Sequence, residues 1–75
     1  MQKEKFYREI ADILEVDDLT DTDILANYAT WDSLSILSAV AMIGSRYRVN
    51  LTARDLRSVA TAGELYDLVA AHCYS

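Results

Sequence analysis

Residues 31–48 read WDSLSILSAVAMIGSRYR, and this stretch decides how the chain is built. Asp32 is a good N-cap, and Ile36, Val40, Ile43 and Tyr47 follow it at the i, i+4, i+7, i+11 spacing of one helical face. The pattern predicts a helix over residues 32–48 with those four side chains buried and Ser33 and Ser38 exposed. Leu34, Leu37 and Ala41 form a second apolar line on a neighbouring face, more than a small core requires, which either widens the core stripe or marks a candidate partner surface. Ser33 becomes the first helical residue, an exposed hydroxyl at the positive end of the helix dipole and suited to carry an anion. Gly44 lies inside the helix at a cost of about 1 kcal/mol against Ala, which either permits a close approach or is simply tolerated.

Outward from this helix, residues 2–15 place Phe6, Ile10, Ile13 and Leu14 on one stripe, with Tyr7 beside it, and predict an amphipathic first helix. Residues 16–31 break the period. Asp17, Asp18, Asp21 and Asp23, with Thr20 and Thr22 among them, carry turn and cap chemistry. Val16, Leu19, Ile24 and Leu25 predict that this long connection lies on the core. The acidic cluster does not make a calcium loop, because the sixth and twelfth positions hold Asp23 and Ala29 from Asp18, and Ala26 and Asp32 from Asp21, not Gly and Glu. Trp31, just before the cap, suits a hydrophobic staple.

Downstream, Thr52 caps a short third helix over residues 53–57, with Asp55 near its N-terminus. Thr61-Ala62-Gly63-Glu64 reads as a capping box that opens a last helix to residue 73, with Leu65, Leu68, Val69 and His72 along one side. The expected fold is all-α: a four-helix bundle with a long first loop and a short third helix, in one domain over residues 1–75.

The chain has 75 residues, 52% of them hydrophobic and 25% charged, with two Gly and no Pro. A core this small does not spare a deep catalytic cleft. The net charge of −5 argues against nucleic acid as a partner. Residues 1–32 hold nine acidic and three basic side chains, whereas residues 33–75 hold three acidic and four basic, so the acidity belongs to the first half. A single cysteine, Cys73, forms no internal disulfide, and no apolar run approaches the roughly 20 residues of a membrane span, so a cytoplasmic monomer is expected. His72 and Cys73 are neighbours on a helix and do not face one another; with no second His or Cys, they suggest neither a catalytic pair nor a metal site.

With Asp32-Ser33-Leu34 at a loop–helix junction, the chain resembles the phosphopantetheine-binding acyl and peptidyl carrier proteins, of the free-standing type. Residues 32–69 follow the family pattern without a gap: a helix ending in aromatic Tyr47, then Val49-Asn50-Leu51, then Val59-Ala60-Thr61-Ala62-Gly63-Glu64-Leu65 at the entry to the last helix. The Trp before the triplet resembles aminoacyl, D-alanyl, polyketide or peptide carriers more than fatty-acid carriers. The resemblance implies a non-enzymatic carrier. Its 4′-phosphopantetheine, from coenzyme A, would be joined to Ser33 by a magnesium-dependent phosphopantetheinyl transferase, and Asp32 would serve as cap and motif residue beside the metal–phosphate complex. Acyl or aminoacyl groups would be held as thioesters for a loading ligase and for synthase or transferase enzymes, with Leu34, Leu37, Ser38 and Ala41 meeting these partners. The family's usual acidic second helix is absent: Ser35, Ser38, Gly44 and Ser45 stand there, followed by Arg46 and Arg48. A small helical protein-interaction module without a prosthetic group is the alternative.

Overall fold

The computed structural model describes residues 2–73, and its order of elements is α1 (Lys3–Leu14), a short 3-10 turn (Leu25–Asn27), α2 (Ser33–Tyr47), α3 (Ala53–Ser58) and α4 (Ala62–Cys73). The all-α arrangement with a long first connection and a short third helix is as the sequence predicts. α2 packs against both α1 and α3, and α4 lies on α1. No helix among the described residues is long and apolar enough to cross a membrane.

Phe6, Ile10 and Leu14 of α1 are buried, with Tyr7 and Ala11 widening the stripe, while Ile13 is only half-buried at its edge. Phe6 is the aromatic hub: Tyr47 and Tyr66 meet its ring edge-on with centroids 5.7 and 5.8 Å away. From α2 the buried residues are Ile36, Ala39 and Ile43. Val40 and Tyr47, expected on the buried face, are half-buried at its margin. Ala39 occupies the centre instead. With i, i+3 and i+7 inward, the stripe is rotated away from the i+4 line, and a methyl group there admits close helix approach. Tyr47 lies at the margin because its hydroxyl bonds Glu9 on α1, whose other carboxylate oxygen is 2.8 Å from Arg46 Nη1. That oxygen is buried and has no aligned hydrogen-bond donor, so the Arg46 charge is its compensation.

α1 and α2 each stop one residue earlier than the periodicity predicts. Glu15 and Arg48 are the C-caps, in the left-handed conformation at φ 60° and 57°. α3 and α4 begin as the sequence predicts. Thr52 Oγ1 accepts from the Asp55 N–H and the Asp55 carboxylate accepts from the Thr52 N–H, and Thr61 and Glu64 repeat the exchange at 3.1 and 3.0 Å. His72, expected on the inward side of α4, is exposed, and its Nδ1 lies 2.9 Å from the Leu68 carbonyl oxygen.

The long loop lies on the core through Leu19 and Leu25, with Val16 half-buried. Ile24, expected to join them, is 46% exposed. Its backbone lies in an isolated antiparallel bridge with Thr61: the Leu25 N–H donates to the Ala60 carbonyl at 3.0 Å, and the Ala62 N–H to the Asp23 carbonyl at 2.9 Å. Asp21 also ties the loop to α1, accepting from the Tyr7 hydroxyl and pairing with Lys3 Nζ at 3.0 Å. Asp23 accepts from the Thr20 N–H at 2.8 Å. These aspartates act as turn and clamp residues.

Candidate functional site

The junction between the loop and α2 is held on three sides. The Trp31 N–H donates to the Tyr28 carbonyl and the Asp32 N–H to the Thr30 carbonyl, both at 3.0 Å, which closes the last turn of the loop. Thr30 Oγ1 donates to the Leu14 carbonyl at 2.7 Å, one of the carbonyls that the end of α1 leaves without a helical partner. Ser35 Oγ donates back to the Thr30 carbonyl. Ser35 is thus half-buried and structural, not one of the free polar residues of the outer helix face. Trp31 and Ile36, at the positions before the cap and four into the helix, line one hollow, which is the arrangement of a hydrophobic staple.

Asp32 caps α2: its Oδ1 accepts from the Ser35 N–H at 3.0 Å. Backbone N–H donors at the start of α2, chiefly that of Ser35, hold its carboxyl below the ordinary carboxylate range, so it is ionised at neutral pH. Ser33 follows as the first helical residue and is exposed. Shallow hollows flank it. One, of about 390 Å³, opens toward α3 between Trp31, Ser33, Ile36, Arg57 and Val59; the other, of about 260 Å³, opens toward the end of α1 between Glu15, Leu34 and Ser38.

The second apolar line of α2 faces solvent. Leu34 is 75% and Leu37 56% exposed, and Ser38 and Ala41 are exposed on the same side. Asp32, Ser33, Leu34, Leu37, Ser38 and Ala41 therefore share one accessible surface.

Sequence reasoning missed Arg57. It stands in the last turn of α3, and its Nη2 donates to Ser33 Oγ at 3.0 Å. Among the described residues Arg57 is in no ion pair with a carboxylate. α3 carries two bases, Arg54 and Arg57, and nothing local singles out the second or connects it with a serine 24 positions earlier.

A family model for the phosphopantetheine attachment site matches residues 4–69, which takes in all of the loop, α2 and α3. Comparison with curated proteins gives no match, and neither does comparison with solved structures. Domains of that family are in general carriers and not catalysts. A match over nearly the whole chain, joined to the helical architecture above, shows that this chain belongs to the phosphopantetheine-attachment family of acyl and peptidyl carrier proteins, on which a 4′-phosphopantetheine arm is covalently borne.

Proposed function

We propose that Ser33 is the residue that takes the arm, and that the protein presents acyl or aminoacyl thioesters to enzymes of fatty-acid, polyketide, peptide or aminoacyl-transfer pathways. The observation that carries the reading is the exposed Ser33 hydroxyl at the first position of α2, directly after the Asp32 cap, in a chain of this family. The donor chemistry fits the group: a phosphodiester on Ser33 meets the positive end of a 15-residue helix and a guanidinium already in contact with the hydroxyl.

In the attachment, Ser33 Oγ forms a bond to the phosphorus that bears pantetheine in coenzyme A. The diphosphate P–O bond breaks, the adenosine bisphosphate half leaves, and the hydroxyl proton passes to a base of the transferase. Asp32 keeps the helix start rigid, and its carboxylate would supply an anionic oxygen to the metal–phosphate complex of the transferase. When bound, the group supplies the terminal thiol that holds the cargo; the chain itself supplies position and recognition. Leu34, Leu37 and Ala41 form the face on which the transferase, the loading ligase and the downstream enzymes dock, with Ser38 as a polar rim. The protein works as a single-domain monomer in the cytoplasm.

Incubation with a broad-specificity phosphopantetheinyl transferase, coenzyme A and magnesium tests the assignment. The wild type gains the mass of one phosphopantetheinyl group, while Ser33→Ala keeps its far-UV dichroism and gains none. No gain by the wild type with several transferases, or a gain by the Ala variant, refutes it.

A further inference from the structure

Arg57 is placed by the caps and the core contact of α3. α3 is only six residues long, yet its start is locked by the reciprocal Thr52–Asp55 exchange and its end by Ser58 Oγ donating to the Asp55 carbonyl at 2.7 Å. Leu56, fully buried, pins it to the core beside α2. The neighbouring Arg57 is thereby fixed over the start of α2, and its guanidinium reaches Ser33 Oγ at 3.0 Å. A guanidinium presents five donors in a planar fork matched to phosphate, and a neutral hydroxyl oxygen uses little of that capacity.

The demand for a cation arises at the same place. Asp32 puts a carboxylate next to Ser33, and a phosphodiester on Ser33 adds a second negative charge within a residue of it. Among the described residues Arg57 is spent on no carboxylate, and Ser33 Oγ is the atom to which the phosphorus would be bonded. Its non-bridging oxygens would lie two bonds beyond the atom that Arg57 already touches.

We propose that Arg57 is the counter-charge of the prosthetic arm: its guanidinium, which donates to Ser33 Oγ in the unmodified chain, holds the phosphodiester of 4′-phosphopantetheine once the arm is attached. The inference rests on the assignment of Ser33 as the attachment residue. Arg57 acts as a positioning residue and anchors the root of the arm on the α3 side of α2, beside the hollow lined by Trp31, Ile36 and Val59. The pair is exposed, so its strength falls with added salt.

The experiment compares unmodified and modified forms of the wild type, Arg57→Gln and Arg57→Lys at low ionic strength, by mass, thermal melting and phosphorus NMR. Modification raises the melting temperature of the wild type by roughly 2–5 °C more than that of Arg57→Gln, the scale of one exposed charge-assisted contact in a domain of this size. Arg57→Lys keeps part of the difference. The phosphodiester resonance of modified Arg57→Gln is displaced from the wild-type position, and added salt narrows the melting difference. Equal melting gains in wild type and Arg57→Gln, with superimposable phosphorus resonances, overturn the role of Arg57 and leave Ser33 standing. Failure of the wild type to gain mass overturns both.

Discussion

The two glycines do opposite things, and only their surroundings tell them apart. A Cβ on Gly63 would come 2.9 Å from the Asp21 carbonyl oxygen, the atom that accepts from the Gly63 N–H at 3.0 Å. That oxygen is backbone in a clamped loop and cannot yield cheaply. A Cβ on Gly44 would meet only the Val49 carbonyl oxygen, at an ordinary 3.8 Å. Gly63→Ala is therefore expected to destabilise by about 1–3 kcal/mol, and Gly44→Ala to stabilise by about 0.5–1 kcal/mol through the cost of glycine in a helix. Urea unfolding of the two variants checks the sign of each; an unweakened Gly63→Ala means that the loop gives way at Asp21, and a weakened Gly44→Ala means that the space beside Val49 is needed. The sequence separates neither role: Gly44 fits a close approach and simple tolerance equally, and Gly63 stands only as a member of the capping box from Thr61 to Glu64. Caps are local exchanges over three residues, and they are legible at Asp32, Thr52 and Thr61. Gly63 against Asp21, and Arg57 against Ser33, are meetings of distant segments that no spacing rule encodes.

At the level of elements, α2 shows why periodicity names a helix better than it names its inner face. Leu34, Ile36, Leu37, Val40, Ala41, Met42 and Ile43 distribute apolar character around much of the cylinder, so several stripes fit the sequence equally well. Packing chooses the one through Ile36, Ala39 and Ile43, against α1 and α3. The second line left two readings open, a wider core or an outward face, and packing decides for the outward one, with Leu34 and Leu37 facing solvent. Ile43 is fully buried and Val40 only half-buried. Ile43→Ala should cost about 2–4 kcal/mol through the cavity it leaves, whereas Val40→Ala, with less contact to lose, should cost roughly 1 kcal/mol. Chemical denaturation of both variants measures the difference, and equal costs mean that Val40 is as central as Ile43. The helix ends were misjudged by one residue for a definite reason. Left-handed C-caps usually announce themselves with glycine, and here Glu15 and Arg48 occupy them.

Across the whole molecule, the radius of gyration of 10.9 Å is close to the roughly 11 Å expected of a compact domain of this length, so the acidic loop must be folded in and not extended as an arm. That constrains where charge is available to partners. Of its aspartates, Asp21 is engaged with Lys3 and Tyr7, while Asp17 and Asp18 remain exposed on the loop. At the other end Arg46 is engaged with Glu9. The proposed docking face between these regions presents Leu34, Leu37, Ser38 and Ala41, none of them charged. A partner seated there gains by removing leucine surface from water and little by long-range attraction, whereas surface charges govern on-rate and its response to salt. Loading by the natural ligase should accordingly weaken only slightly between low and physiological ionic strength. Leu37→Ala should slow loading more than Ser38→Ala does, and because Leu37 is largely exposed the variant should fold with nearly unchanged stability. Loading rates of wild type and both variants, measured across a salt series together with their melting temperatures, make the comparison. A steep fall with salt and an unimpaired Leu37→Ala would move the contact off α2 and onto the loop, where Asp17 and Asp18 supply the charge that α2 lacks.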